Sequence, residues 1–577
     1  MIFGEGAIPP ALFMVAGAAL LPLLSRKLRS TAFLLFAFCS LYTACTLPDG
    51  AVLSVRFLNY TLLLTKVDAL SRVFGIIFAL IAFAGGIYAF HIKETAQQSA
   101  ALLYAGSALG VSFAGDYFTL LVFWELMAVA SLYLIWANRT EESRKAGFRY
   151  LLVHIFGGGM LFAGILMHLT QTGQIEIGRL IPDGSLSSWL ILLGVGLNAA
   201  VPPLNAWLPD AYPRATVTGA VFLSAFTTKA AVYALLRIFP GWKVLLIMGV
   251  IMTLYGVIFA ILSNDIRGIL AYHIISQVGY MVAGVGIGTE MSMNGSAAHA
   301  FSHILYKALL FMGAGTILQA TGRYKLTELG GLGGAMPRTF LLYMVGAFSI
   351  SGVPLFNGFI SKSMVISAAG EAHYGLAVLL LELASVGTFL SVGLKLPFFT
   401  WFSKKPTLTP DPPPGNMHIG MAVVSILCVG YGIFPSVLYH ILPYPVHYEP
   451  YATAHVIEAV ELLSFTFIAF WILRKFLKPK SVLLIDFDWF YRKPARLARK
   501  IFVDMVFSVF AWTEKVLGLG LQRAVNFGKN PLGFLTGTDS DQAYSPDKYR
   551  PATQTLVLIV LAGFIVLAVV GLILLSR

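Results

Sequence analysis

The sequence predicts an all-α polytopic membrane protein of about sixteen transmembrane helices, and three observations carry that reading. Hydrophobic residues fill 58% of the 577 positions and charged residues only 12%, with a mean hydropathy of +0.79, well beyond soluble norms. Apolar runs long enough to cross a hydrocarbon core of about 30 Å recur along the chain. The loops between them alternate in Lys and Arg content, as cytoplasmic retention of basic loops requires. A formal net charge of +13 is therefore accounted for by basic loops at one membrane face, and no nucleic-acid partner is expected. Cys39, Cys45 and Cys428 lie in apolar runs without metal-ligand spacing, so free thiols and no metal site are expected.

Taken in order, the chain opens with Glu5 and no early basic residue, then an apolar run over 11–24 followed by Arg26, Lys27 and Arg29. This reads as a first span rather than a cleaved leader, with the N-terminus outside and the basic flank in the cytoplasm. Further spans are expected near 31–47, 67–91, 98–114, 117–137, 146–170, 187–208, 216–238, 244–263, 268–288, 294–318, 339–368, 376–401, 416–437, 453–473 and 553–575. The loops holding Arg144, Lys145 and Arg149, then Arg214, Arg267, Arg323 with Lys325, and Lys404 with Lys405 all fall on the cytoplasmic side of this alternation. The opposite loops are poorer in basic residues, with Arg179, Arg237 and Lys243 as exceptions.

Residues 198–237 combine Pro202, Pro203, Asp210 and Lys229, all costly in a lipid-embedded chain. Proline removes a backbone hydrogen bond that hydrocarbon cannot replace, so this broken helix must face protein or a wet cavity. Lys229 falls near mid-bilayer, where a cation costs at least roughly 2.5 kcal/mol and usually marks an ion route. Glu125 sits in the middle of DYFTLLVFWELMAVASLYLIW and reads as a functional acid, or as a carboxylate satisfied by a neighbouring helix. His299, His303 and Lys307 follow one another at i+4 steps, sharing one helix face over roughly 12 Å. Imidazoles that donate and accept protons near neutral pH suit a relay, with core histidines bonded to carbonyls as the plainer alternative. A second break at Ser351-Gly352-Val353-Pro354 delivers Lys362 just beyond it. The two breaks are entered from opposite sides, the pattern of an inverted-topology repeat. Lys395 then follows the second break as Lys229 follows the first, unless it is a helix-end lysine reaching for the interface.

VPPLNAWLPDAY, the acid in FWELM, the run DIRGILAYHIISQ, the His-x-x-x-His-x-x-x-Lys ladder and GVPLFNGFISK resemble the antiporter-like subunits shared by respiratory complex I and Mrp-type cation/proton antiporters. The resemblance covers roughly residues 60–400 and is closest to the D-type Mrp component, with a complex I-like C-terminal extension. It implies that Glu125 is the fifth-helix glutamate, Lys229 the eighth-helix lysine, His299, His303 and Lys307 the eleventh-helix relay, and Lys362 the terminal lysine. One position departs: where the family usually has a lysine nine residues before the WLPD tryptophan, this chain has Asn198. That departure puts in doubt the usual glutamate–lysine pair. An asparagine there is a helix-packing amide or a carbonyl ligand for a hard cation such as Na⁺.

The resemblance divides the chain into N-terminal helices over 1–97, an antiporter-like core of two inverted repeats over 98–402, and C-terminal core helices over 403–475. A lateral amphipathic segment and linker then span 476–552, before a terminal anchor over 553–577. A lateral helix over Trp489–Asn526 would reach about 55 Å, either clasping a neighbouring subunit or lying on lipid headgroups. No P-loop, dinucleotide fingerprint or cysteine cluster is present, so no cofactor, catalytic centre or redox chemistry of the chain's own is expected. The expected role is a subunit moving H⁺, with Na⁺ as a second candidate ion. It would sit in a prokaryotic cell membrane among other membrane subunits of an NADH-quinone oxidoreductase-like or Mrp-type complex. A structural subunit with weakened translocation and a stand-alone carrier are the alternatives.

Overall fold

Short polar side chains placed just before apolar runs decide where the helices of this protein begin. The computed structural model describes residues 8–403, 408–480, 486, 487, 489, 493, 494, 497, 499–537 and 553–575. Its first helices are α1 (Pro10–Leu20), α2 (Arg29–Thr46), α3 (Ala69–Tyr88), α4 (Thr95–Phe113), α5 (Tyr117–Trp136), α6 (Glu141–Thr172) and α7 (Leu186–Asn198). There follow α8 (Trp207–Ala211), α9 (Val217–Ala225), α10 (Thr227–Ile238), α11 (Lys243–Leu262), α12 (Ile266–Ile287) and α13 (Glu290–Thr321). Asp68, Asp116, Thr140, Ser185, Thr216, Asp265 and Thr289 each accept from an amide in the first turn of the helix that follows. Each such cap is worth about 1 kcal/mol.

The chain continues through α14 (Pro337–Ser351), α15 (Asn357–Glu371), α16 (Gly375–Thr388), α17 (Gly415–Ile433), α18 (Pro435–Tyr439) and α19 (Thr453–Leu473). Helix α16 runs on through π-helical turns over Phe389–Lys395 and Phe398–Phe402, where Pro397 disturbs the α ladder. Each of the sixteen expected runs carries helix. Among the described residues eleven helices are long and apolar enough to cross a membrane, with α9 and α10 together forming one of them. The run expected over 339–368 is two helices, and that over 187–208 ends early at Asn198.

The link between the second and third expected spans is an antiparallel β-hairpin, Val52–Phe57 with Tyr60–Lys66, which hydropathy alone does not distinguish from a loop. It is tied to the loops that the alternation puts on the same face. Leu63 N donates to Asp116 Oδ2 at 2.7 Å, and Lys66 pairs with Glu176 at 2.6 Å. Leu180 N reaches Ile238 O, and Gly241 N reaches Val285 O, each at 2.8 Å. On the opposite face Arg139 pairs with Glu94 at 2.9 Å, Asn138 bonds Arg214 O at 2.9 Å and Leu326 N bonds Asn264 O at 2.8 Å. Loops of the same expected side thus bond one another, an independent check on the alternation. Lys404 and Lys405 lie outside the described residues.

Burial falls off from the centre outward. The apolar window of α12 is 100% buried and that of α13 is 94% buried, against 11% for α19, and α13 packs on α3, α9, α12, α14, α15 and α17. The helices that carry His299, His303, Lys307, Lys229 and Lys362 are therefore interior ones. Residues 489–577 form a second compact unit. In it a π-helical turn over Lys500–Asp504 leads into α20 (Met505–Lys529), followed by α21 (Pro531–Thr536) and an apolar α22 (Thr553–Leu575). The expected lateral helix is thus helical over its described part from 499 onward. Much of its start, over 488–498, and the expected linker over 538–552 lie outside the described residues.

Candidate ion-translocation site

Three interruptions in helices set the geometry, and at two of them a lysine takes the carbonyl that the break sets free. Helix α7 stops before Pro202-Pro203, and the indole of Trp207 donates to Leu197 O at 3.2 Å. Between α9 and α10 the chain bends at Phe226, and Lys229 Nζ donates back to Ser224 O at 2.5 Å. Between α14 and α15, Gly352 takes a φ of 76°, which only glycine adopts freely, and Pro354 has no N–H to offer Ile350. Lys362 Nζ supplies that donor, bonding Ile350 O at 2.8 Å and Ser385 Oγ at 3.2 Å. A cation at the C-terminal end of a half-helix also lies at the negative pole of its dipole.

Lys395 behaves differently. It donates to the carbonyls of Ile261 and Ser263, at the end of α11 and beside the loop to α12. It closes a helix end, and its ammonium bonds neither carbonyl of the second break.

Between Lys229 and Lys362 runs the ladder of α13. His299 Nδ1 lies 3.1 Å from Ser361 Oγ, on the residue next to Lys362, and His299 Nε2 lies 3.4 Å from the Tyr306 hydroxyl. Tyr306 donates to Gln277 Oε1 at 3.3 Å. Both ring nitrogens of His303 and the Nζ of Lys307 are fully buried and have no hydrogen-bond partner among the described residues. His303 is within Coulombic range of Lys229, Lys307 and His299. The structure therefore brings Lys229, His299, His303, Lys307 and Lys362 into one buried polar axis.

Glu125 stands apart from it. Its carboxyl packs against Gly158 of α6, where an added Cβ would come within 1.8 Å of Oε1, and it has no ion-pair or hydrogen-bond partner among the described residues. Asn198 does not face a cation either: its Oδ1 accepts from His154 Nδ1 at 2.8 Å. His154 is wedged between the rings of Tyr150 and Trp207, at 4.0 and 4.7 Å between centroids. Asp210, the acid after the first break, is held by Arg149 at 2.7 Å and Arg214 at 2.9 Å, a paired cluster rather than a lone membrane charge.

Several site residues carry little signal in the sequence. His154 occurs in YLLVHIFGGG as a single histidine without a periodic partner. His273, which hydrogen-bonds Ser391, lies inside DIRGILAYHIISQ and could have been singled out there. The bend at Phe226 has no proline or glycine to announce it.

Residues 114–391 match the family described as NADH:quinone oxidoreductase/Mrp antiporter, TM. An uncharacterized protein of Methanocaldococcus jannaschii is 30% identical over 370 residues, 60% of this chain and 76% of that one. A Na(+)/H(+) antiporter subunit of Alkalihalophilus pseudofirmus is 30% identical over 436 residues, 66% of this chain and 53% of its own length. The chain thus spans about half of that antiporter protein. A chain in the structure of the Mrp complex from Dietzia sp. DQ12-45-1b shares the fold, with a TM-score of 0.68 at 22% identity, over 80% of this chain and 98% of that one. The expected membrane fold and the expected family agree with these matches: the chain is a multi-pass membrane protein and belongs to the antiporter-like family of NADH:quinone oxidoreductase and Mrp transmembrane subunits.

Proposed function

We propose that this chain is the ion-translocating membrane subunit of a multi-subunit complex, passing protons along Lys229, Lys307, His303, His299 and Lys362. The supporting observation is that, among the described residues, the two lysines at helix breaks are hydrogen-bonded to carbonyls and a hydroxyl and to no acid. Between them lie histidine and lysine nitrogens without partners among the described residues. Buried polar groups left unpaired in a native protein call for an explanation, and groups that exchange protons in turn provide one. Na⁺ is the second candidate ion, since the relative from Alkalihalophilus pseudofirmus belongs to a Na(+)/H(+) antiporter. Energy would come from partner subunits, through redox chemistry or another ion's gradient, and the N-terminus would lie outside.

Lys229→Met tests this in proteoliposomes of the purified complex. Abolished translocation with retained assembly supports the reading, and normal translocation refutes it. That Glu125 bonds no cation among the described residues favours a second reading, a structural subunit with weakened pumping, in which Lys229→Met changes nothing. Affinity purification in mild detergent separates the two settings: co-purifying iron–sulfur subunits mark a redox complex, and small membrane subunits alone mark an antiporter.

A further inference from the structure

Helix α6 sets Tyr150, His154 and Gly158 at successive i+4 steps, all three buried. They share one helix face over roughly 12 Å, as His299, His303 and Lys307 do on α13. Groups from other helices meet that face at its two ends. At Gly158 stands the Glu125 carboxyl, close enough that an added Cβ would fall 1.8 Å from Oε1. At the other end the Tyr150 hydroxyl lies 2.7 Å from Ser131 Oγ and also meets the hydroxyl of Thr227. Thr227 is held by the Tyr104 hydroxyl at 2.6 Å and precedes Lys229 by two residues. His154 is midway between the acid and the hydroxyls.

The bond to Asn198 decides which nitrogen of His154 is free. An amide oxygen only accepts, so the 2.8 Å contact with Asn198 Oδ1 puts the proton on Nδ1 and leaves a lone pair on Nε2. That nitrogen is buried and has no hydrogen-bond partner among the described residues, which a histidine kept for packing alone would not explain. The position matters as well. Where the resemblance expects a lysine, this chain has Asn198, and the group it bonds is a histidine from α6 that can itself become a cation.

We infer that His154 carries the proton between Glu125 and Lys229, standing in for the lysine that this chain lacks at 198, with Asn198 as its positioning partner. The inference rests on the translocation reading and extends its path by one helix. The proton leaves the Glu125 carboxyl, which becomes a carboxylate, and bonds to His154 Nε2, which makes an imidazolium. One helical turn separates Gly158 from His154, about 5–6 Å, a gap that a rotation of the carboxyl or one bridging water closes. The same nitrogen then releases a proton to the hydroxyls of Tyr150 and Thr227, each taking one as it gives up its own. The Lys229 amine receives it and becomes an ammonium. Asn198 holds the Nδ1 proton throughout, so the imidazole returns to its starting tautomer without turning over.

The test uses the purified complex in proteoliposomes, with Lys229→Met as the reference for loss of transport. His154→Gln keeps an N–H for Asn198 but cannot carry a charge, and should lower translocation roughly 100-fold, the lower end of what a positioned proton carrier contributes. If Lys229→Met is inactive while His154→Gln runs at full rate, the translocation reading stands and the role of His154 falls. A rescue separates proton carriage from packing. Asn198→Lys added to His154→Gln returns a titratable nitrogen to the site, with the glutamine carbonyl to accept from it, and should raise the rate roughly tenfold over His154→Gln. A double variant as slow as His154→Gln overturns the inference. If His154→Gln does not assemble, Asn198→Asp keeps the shape and asks the same question. Its carboxylate beside the Nδ1 proton stabilises the imidazolium and should slow transport roughly tenfold or more, and an unchanged rate overturns the inference.

Discussion

The pair His154–Asn198 yields the most exacting prediction, because both partners are buried and bonded to each other. His154 Nδ1 donates to Asn198 Oδ1 at 2.8 Å, while His154 Nε2 and Asn198 Nδ2 have no partner among the described residues. Asn198→Leu keeps the volume and leaves an imidazole N–H unpaired, at a cost of about 1–3 kcal/mol. His154→Phe leaves the amide oxygen unpaired at a similar cost, but the double variant removes both polar groups and should be close to neutral. The double-mutant cycle should therefore give a coupling close to the sum of the two single costs, about 2–6 kcal/mol. Unfolding of the purified protein in mixed SDS micelles measures it, with the fluorescence of Trp207, 4.7 Å from the His154 ring, as a local reporter. If the two single effects add to the double effect within about 0.5 kcal/mol, the pair is not coupled and the placement of Asn198 is wrong. The same geometry redirects the expectation for Asn198→Lys. A lysine there meets the His154 N–H first, two donors facing each other, before it can serve Glu125.

Three further outcomes are expected. Gly158→Ala should force the Glu125 carboxyl aside, since the new methyl falls 1.8 Å from Oε1; because that carboxyl ends a flexible side chain, stability should change by no more than about 1 kcal/mol, read by the same SDS titration against Gly159→Ala, which has open space. Asp68 works the other way round: burial opposes its charge, but the bonds and charge of Arg237, with those of Ser71, outweigh that and hold its carboxyl below the usual value. A lowered value means the contribution is present above about pH 4 and is lost as pH falls further through the folded value; Asp68→Asn should flatten that acid limb of the stability curve. Truncation after Lys480 should release partner subunits on native gels if the C-terminal segment clasps them, and an intact complex would reject the clasp.

What was legible in the sequence follows from where chemistry announces itself. Pro354 removes the donor that Ile350 needs, so both the break and the lysine that repairs it were readable from SGVPLFNGFISK. The spacing of His299, His303 and Lys307 placed them on one face, and they share one. The bend at Phe226 was not readable, because it depends on tertiary support: the Tyr104 hydroxyl receives the Thr227 amide at 3.1 Å from a helix more than a hundred residues away. The hairpin over 52–66 was hidden for another reason. Its alternation is short, and its register is pinned by Asp116 and Glu176, residues that a local reading cannot connect to it. Asn198 was marked as a departure, but its partner on α6 could come only from the fold.

The buried axis is satisfied at its ends and unsatisfied in its middle, and that asymmetry bears on how it would work. Lys229 and Lys362 each hold a carbonyl that their own helix has released, so each is fixed in place by a bond worth about 1.5–3 kcal/mol when charged. His303 and Lys307 hold nothing among the described residues. Rearrangement is therefore cheapest on α13, where no such bond has to break before a side chain turns. His299 couples that freedom to the second half, because its partner Ser361 is the neighbour of Lys362 on α15. A change in the charge of Lys362 alters the pull on the Ile350 carbonyl at the break. Ser361 moves with the same helical turn, and the shift reaches the unbonded histidine one turn along α13 without passing through any loop. His303→Gln, which keeps donors and acceptors but cannot carry a charge, should leave both lysine bonds intact and stop translocation. Unimpaired translocation by that variant would place the moving proton elsewhere.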